Sequence, residues 1–307
     1  MSMNKMSMIL VTGAYGLVGS ALVDFLRSTG YKAVVGIGRN DCNLLNSEET
    51  KHVIARIRPD YVFHCAAKVY GILGNMNNKG ISFYENVLIN TNIVEAVRIS
   101  KVKKITVMGT GAVYPYPPPG LPLKEEMIFM GSPHSSEDSY AHAKRALLAM
   151  LRAYEESYKL SWAYLVSCNL FGPRDKFDTE NGHVVPSLIK KFSDAKKNGT
   201  DIVVWGNGSA RRDFMYVKDA AAALECIMNN INGAVNLGSG KVYSIRQIVE
   251  FLGEITGLTS RIKWDASKPN GQEYRSYDLS RLFAAGFSCK YDIEYGLRET
   301  WNWHEHS

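Results

Sequence analysis

An apolar run, Met8-Ile9-Leu10-Val11, leads directly into Thr12-Gly13-Ala14-Tyr15-Gly16-Leu17-Val18-Gly19. A short unbroken apolar run suits a parallel strand buried on both faces. The next segment puts Val18, Leu22, Phe25 and Leu26 on one helical face, and Gly30 closes it. A strand, a glycine turn and a helix in that order restrict the fold to a doubly wound α/β sheet. Glycines at Gly13, Gly16 and Gly19 let the backbone turn sharply and approach a pyrophosphate at the helix N-terminus.

The alternation continues. Lys32 to Ile37, Asp60 to Cys65, Lys104 to Met108 and Trp162 to Val166 read as strands two to five. Helical patterns fill the gaps, notably Tyr84 to Ser100 and Ser139 to Tyr158. The fold expected is a Rossmann-type doubly wound parallel sheet with right-handed crossovers over residues 1–172. Residues 173–307 are expected to form a smaller α/β lobe for substrate, with segments returning to the main sheet. There a helix from Val185 to Asn198, a strand Ile202 to Gly206, a segment Val235 to Gly238, a helix Ser244 to Thr256 and an edge strand Arg261 to Trp264 are legible. Pro115, Pro117, Pro118 and Pro119 form a rigid loop after strand four.

The end of strand two, Gly36-Ile37-Gly38-Arg39, carries no acidic residue for a ribose 2′-hydroxyl. Its first charged side chain is Arg39, which suits a 2′-phosphate and favours NADP(H) over NAD(H). Asn43 and Leu44 follow within reach of the adenine. Further on, Tyr140 and Lys144 share a helix face. A nearby ammonium together with an oxidised nicotinamide ring favours the phenolate, so Tyr140 is expected to titrate below its usual value and exchange a proton with a carbonyl oxygen. Thr110 closes strand four and offers a hydroxyl to the same oxygen. The Tyr-x-x-x-Lys spacing is common by chance; its place after a strand ending in Thr110 gives it weight.

Other signals bound the function. The chain has 36 Lys and Arg against 30 Asp and Glu, a net charge of +6. That diffuse excess argues against nucleic acid and is compatible with an anionic small ligand. Five scattered cysteines have no metal-ligand spacing and, being odd in number, no disulfide framework. No metal is expected. A cytoplasmic protein follows, with no secretory signal and no run of the roughly 20 apolar residues that span a membrane.

The chain resembles the GDP-L-fucose synthase family of extended short-chain dehydrogenases/reductases. The resemblance rests on Cys65-Ala66-Ala67-Lys68-Val69 with Gly71-Ile72 and Asn75, on Val113-Tyr114-Pro115, and on Tyr140-Ala141-x-Ala143-Lys144. It extends through Asn169-Leu170-Phe171-Gly172-Pro173, His183-Val184-Val185-Pro186, Val204-Trp205-Gly206-x-Gly208, Arg212-Asp213-Phe214 and Lys268-Pro269-Asn270-Gly271. It implies cofactor contacts from Tyr15, Leu17, Val18, Ala66, Ala67, Lys68, Lys144, Asn169, Leu170 and His183. It implies a GDP-linked sugar held by Lys191, Trp205, Arg212, Asn169 and Lys268, and a homodimer formed through the two long helices.

The family epimerises beside the keto group with a cysteine and a histidine before reducing it. His183 matches the histidine. The family's Gly-Ser-Ser-Cys reads Gly109-Thr110-Gly111-Ala112 here, and alanine carries no proton. The expectation is a C4-keto reductase of a GDP-4-keto-6-deoxy sugar, hexose or heptose, without epimerase activity. The alternatives are a full epimerase/reductase in which another group such as Cys65 replaces the thiol, and a cofactor-binding sensor without catalysis. A 4,6-dehydratase lacks its acid beside Thr110.

Overall fold

The structure, a computed structural model, describes residues 2–70, 72–179, 182–268 and 272–307. Gly71, Pro269, Asn270 and Gly271, which contribute to the family resemblance, lie outside the described residues. In chain order the first half gives β1 (Met8–Thr12), α1 (Leu17–Ser28), β2 (Ala33–Ile37), α2 (Ser47–Ile57), β3 (Tyr61–His64), α3 (Ile72–Asn77), α4 (Lys79–Ile99), β4 (Lys104–Met108), α5 (Asp138–Tyr158) and β5 (Trp162–Ser167). Then come β6 (Asn169–Phe171), α6 (Val184–Asn198), β7 (Ile202–Trp205), β8 (Arg211–Tyr216), α7 (Val217–Asn230) and β9 (Gly233–Leu237). The chain ends with β10 (Val242–Ser244), α8 (Ile245–Thr256), β11 (Ile262–Asp265), β12 (Tyr274–Arg275), α9 (Ser280–Ala284) and α10 (Ile293–Glu305).

Six parallel strands form the main sheet in the order β2-β1-β3-β4-β5-β9. The sequence direction reverses between β1 and β3, so a crevice opens beyond their carboxyl ends. Helices α2, α4 and α5 pack on one face, and α1 and α7 on the other. All six strands run the same way, so Gly13, Arg39, Ala66, Thr110, Asn169 and Gly238 follow strands along one edge of the sheet.

A second apolar core joins β8, α6, α8 and α10 through Phe171, Leu188, Phe192, Phe214, Leu252 and Trp301. The short strands cluster there: β8 lies between β10 and β12 and also pairs β6, while β11 pairs β7. The segment expected at Val235 to Gly238 does return to the main sheet, as β9, and α7 returns with it. Most element boundaries shift by a residue from expectation, and those of α4 and α8 have identifiable local features. Helix α4 starts at Lys79 rather than Tyr84, because Gly80 is accommodated in its first turn with open space around it. Ser244 lies outside α8 as its cap: its hydroxyl takes the Gln247 amide, and Gln247 returns a bond to the Ser244 amide.

A buried relay fixes the switch point. The Ala66 amide donates to Thr12 Oγ1 at 3.4 Å, and that hydroxyl lies 2.8 Å from His64 Nδ1. His64 Nε2 reaches Asn90 Oδ1 of α4 at 3.2 Å. A neutral imidazole satisfies both contacts, taking the Thr12 proton at Nδ1 and donating from Nε2, and burial holds His64 down to about 3 from 6.5. The unfolded chain takes up a proton near 6.5 that the folded chain refuses until about 3. Stability is therefore full above the unfolded value and falls on acidification, by at most about 1.4 kcal/mol per pH unit from this group. We expect the melting temperature to drop progressively below about pH 6.5, with a shallower drop in His64→Asn, read by thermal unfolding at stepped pH.

Candidate active site

The glycine turn is shaped by close backbone approach. Gly13 has φ of +68°, and a Cβ there would lie 2.8 Å from the Ala66 backbone. A Cβ on Gly19 would lie 2.1 Å from the Gly13 carbonyl oxygen. Helix α1 therefore starts hard against the turn. Its cap, Gly16, offers no side-chain acceptor to the first amides of the helix. Those amides and the positive end of the helix dipole suit the diphosphate of a dinucleotide.

Beyond β2, the Tyr15 ring stacks so close to Gly38 that a Cβ at 38 would lie 2.3 Å from it. Asp41 accepts the Gly38 amide at 2.8 Å and the Tyr15 hydroxyl. That carboxylate is thus committed to the protein, while Arg39 is exposed at the end of β2. The Asn43 side chain is exposed, with Oδ1 accepting the Leu45 amide, and Leu44 is buried. Lys68 is held by its backbone, which exchanges hydrogen bonds with the Asn86 side chain. Among the described residues the Asn169 side chain makes no hydrogen bond, and β6 carries it beside β8.

Strand β4 and helix α5 are tied together at the edge of the crevice. Lys144 is completely buried, and its ammonium donates to the Met108 carbonyl at 2.8 Å. Arg145 donates to the Val113 carbonyl at 2.8 Å. Tyr164 packs against Gly109 and donates to the Lys144 carbonyl at 3.1 Å. These bonds hold the first turns of α5, with Tyr140, against the turn that carries Thr110. Thr110 Oγ1 accepts the Ala112 amide at 3.2 Å, so its own proton remains available to a ligand. The Lys144 ammonium lies 5.9 Å from the Tyr140 ring centre.

The expected lowering of Tyr140 is not what this arrangement produces. Burial pushes the phenol above its usual range, with Glu137 adding to it. Burial also pulls Lys144 down to about 8, against a small opposing effect of Cys65. Desolvation outweighs the lysine's field because the whole corner is shielded from water. Tyr140 consequently keeps its proton at neutral pH and is a donor. Ala112 is buried, and burial pushes the Cys65 thiol up to about 12. Neither supplies an acid or base of useful strength.

His183 stands exposed as the cap of α6. It faces Asp175, whose carboxyl is raised by burial against the pull of His183. Asp175 Oδ2 is buried without a partner among the described residues. Lys191, Trp205 and Lys268 form one group: the two ammonium nitrogens lie 5.4 and 5.8 Å from the centre of the Trp205 ring, which is half exposed. Lys191 also donates to the Val203 carbonyl at 2.9 Å, and burial lowers it.

Arg212 belongs to a separate group. Strand β12 pairs β8 so that Arg275 lies beside Arg212 in register. Burial, with Arg275 beside it, pulls Arg212 down to about 10. Arg212 donates to the backbone carbonyls of Arg211 and Gln272. The nearest carboxylate is Glu137, 3.9 Å from Arg275. Two adjacent guanidiniums against the single carboxylate that pairs with Arg275 leave a net positive charge, which suits an anion such as a diphosphate. Arg275 and Tyr277 were not identified in the sequence reading. A lone arginine in a polar stretch has no local signature, and only strand pairing makes it a partner of Arg212.

A doubly wound sheet with a glycine-lined crevice beside a hydroxyl, a phenol and a buried ammonium defines a dinucleotide-binding dehydrogenase architecture. The chain belongs to the NAD dependent epimerase/dehydratase family, whose pattern it matches over residues 9–245. It is 34% identical to a probable GDP-L-fucose synthase of Oryza sativa subsp. japonica, over 98% of this chain and 93% of that one. Its structure is similar to a GDP-L-fucose synthetase from Naegleria fowleri bound to NADP, with a TM-score of 0.93 and 32% identity, covering 100% and 95% of the two chains. It is also similar to a GDP-mannoheptose C4 reductase from Campylobacter jejuni with NADP bound, with a TM-score of 0.88 and 27% identity over 99% and 100%. Among the described residues no group of His, Cys, Asp or Glu is placed to hold a metal, and no helix is long and apolar enough to cross a membrane.

Gly19→Ala places a methyl group against the Gly13 carbonyl. We expect it to weaken NADPH binding at least about tenfold, measured by fluorescence titration alongside a melting curve.

Proposed function

We propose that this protein is an NADPH-dependent C4 reductase of a GDP-linked 4-keto-6-deoxy sugar, without epimerase activity. The observation that carries this reading is an intact proton-transfer set, Thr110, Tyr140 and Lys144, beside a buried methyl group at Ala112. Gly13, Gly16, Gly19 and the amides of α1 hold the cofactor diphosphate, and Arg39 meets the 2′-phosphate. Bound NADPH supplies a hydride to the keto carbon. Tyr140 delivers its proton to the carbonyl oxygen, and Thr110 donates a hydrogen bond to the same oxygen. Lys144 fixes the geometry through Met108 and places positive charge near the oxygen as negative charge develops there.

Arg212 and Arg275 bind the substrate diphosphate, with Lys191, Trp205 and Lys268 contributing to the nucleotide side. His183 remains as a binding group. Hydride transfer needs no base on the sugar carbons. Removal of a proton beside the ketone does need one, within hydrogen-bond reach of that carbon. Inversion also needs a donor on the other face, so His183 alone serves one face at most. Cys65, the candidate replacement, holds its proton too tightly to serve.

The outer faces of α4 and α5 expose Ile81, Phe83, Tyr84, Ile99 and Tyr158, a surface that suits a second copy of the chain. All five cysteines are free, in keeping with a reducing cytoplasm.

With NADPH and GDP-4-keto-6-deoxymannose in D2O, we expect loss of NADPH absorbance and a product with no enzyme-dependent deuterium at C3 or C5. Deuterium above the enzyme-free control at either carbon overturns the reductase-only reading. The pH profile gives a second test. Lys144 loses its charge near 8, while Tyr140 keeps its proton. At saturating NADPH, kcat/KM for the keto-sugar is expected to fall as pH rises through about 8, with a slope of one proton.

A further inference from the structure

The family pattern has a serine where this chain has Gly111, so a second side chain is missing beside Ala112. The space is filled from elsewhere. A Cβ built on Gly111 would stand 2.1 Å from the Tyr277 hydroxyl oxygen and 3.2 Å from Nη1 of Arg275. The backbone at Gly111 does not have positive φ. Space, rather than chain conformation, therefore requires glycine here.

Tyr277 is held firmly in this place. Its backbone bridges Leu123 in the segment after β4. The Leu123 amide donates to the Ser276 carbonyl at 2.9 Å, and the Asp278 amide donates to the Leu123 carbonyl at 2.8 Å. Its ring lies 6.1 Å from that of Tyr114, which is itself fixed by Asn236 at 2.6 Å. Arg275 donates to the Tyr277 hydroxyl, and burial pushes that phenol up to about 12. The hydroxyl therefore carries its proton at neutral pH. Among the described residues it donates to no acceptor, although nearly the whole side chain is buried. That O–H, beside Gly111 and Arg275, therefore has its proton available to an acceptor on a ligand.

We infer that Tyr277 is a specificity-determining residue, whose hydroxyl donates a hydrogen bond to the C3 hydroxyl of the keto-sugar. This rests on the reductase reading above, and it follows from order along the site. Arg275 and Arg212 mark the diphosphate attached at C1, and Thr110 marks the oxygen at C4. Tyr277 lies between them, against the residue that follows Thr110. In a 6-deoxy sugar, hydroxyls between C1 and C4 stand only on the C2–C3 edge, and C3 adjoins the ketone. The substrate class is thus a nucleoside-diphospho-4-keto sugar that keeps its C3 hydroxyl. Where the family has the serine that precedes its thiol, this site presents a phenol that holds an oxygen, and Ala112 offers no base to take a proton from carbon.

The test compares NADPH oxidation by the native protein and Tyr277→Phe on GDP-4-keto-6-deoxymannose and on the same compound lacking the C3 hydroxyl. Tyr277→Phe is expected to lose about ten- to a hundredfold in kcat/KM on the first and to change little on the second. Equal losses on both, or no loss on either, overturn the inference. If the native protein reduces neither compound, the reductase reading itself fails. A second pair guards against misfolding. Gly111→Ala is expected to lower the melting temperature, and Gly111→Ala with Tyr277→Phe to recover part of that loss, because the overlapping oxygen is gone. Failure of the double variant to recover any of it counts against the close approach of Tyr277 to Gly111.

Discussion

The bond from the Lys144 ammonium to the Met108 carbonyl is the contact on which the geometry of the site depends. Helix α5 crosses the sheet with Tyr140 one turn before Lys144, so anchoring the lysine also positions the phenol. Among the described residues no carboxylate pairs with it. A charge placed this way costs stability, and the lysine responds by releasing its proton more readily. The protein thereby keeps a cation whose charge is sensitive to pH close to neutrality, in a place where water cannot screen it.

The main sheet was legible because buried parallel strands leave short apolar runs, and β1, β3, β4 and β5 each have one. The glycine turn was legible because three glycines at that spacing have few other uses between a strand and a helix. The small lobe was harder to read. Strand β8 begins Arg-Arg-Asp, and its Asp213 is buried only because the Ser239 and Gly240 amides satisfy it. Nothing local in the sequence announces that partnership. The start of α4 was missed for a related reason: its apolar residues Ile81 and Phe83 face outward, which blurs the period.

Electrostatics was the least legible level. Spacing placed Lys144 on the same face as Tyr140 and suggested that its charge would dominate. Depth of burial decided otherwise, and depth is a property of the whole assembly. The same holds for Arg275 and Tyr277. They come from a polar stretch near the C-terminus, and they reach the site only because β12 adds to β8 and Tyr277 bridges Leu123. Asp175 likewise looks like an ordinary loop acid until its second oxygen is found buried beside the capping residue of α6.

The exchange of volume between Gly111 and Tyr277 bears on how such a site arises. A side chain at 111 together with the phenol overfills the space, whereas glycine with a smaller residue at 277 merely leaves a void. Overlap of atoms is costlier than a small cavity that neighbours or water can partly fill. An evolutionary path between the two arrangements is therefore ordered. Loss of bulk on the turn comes first, and the aromatic ring enters afterwards. Once the ring is seated, the step back is closed at position 111 until position 277 changes again, so the fate of one residue is set by the history of the other.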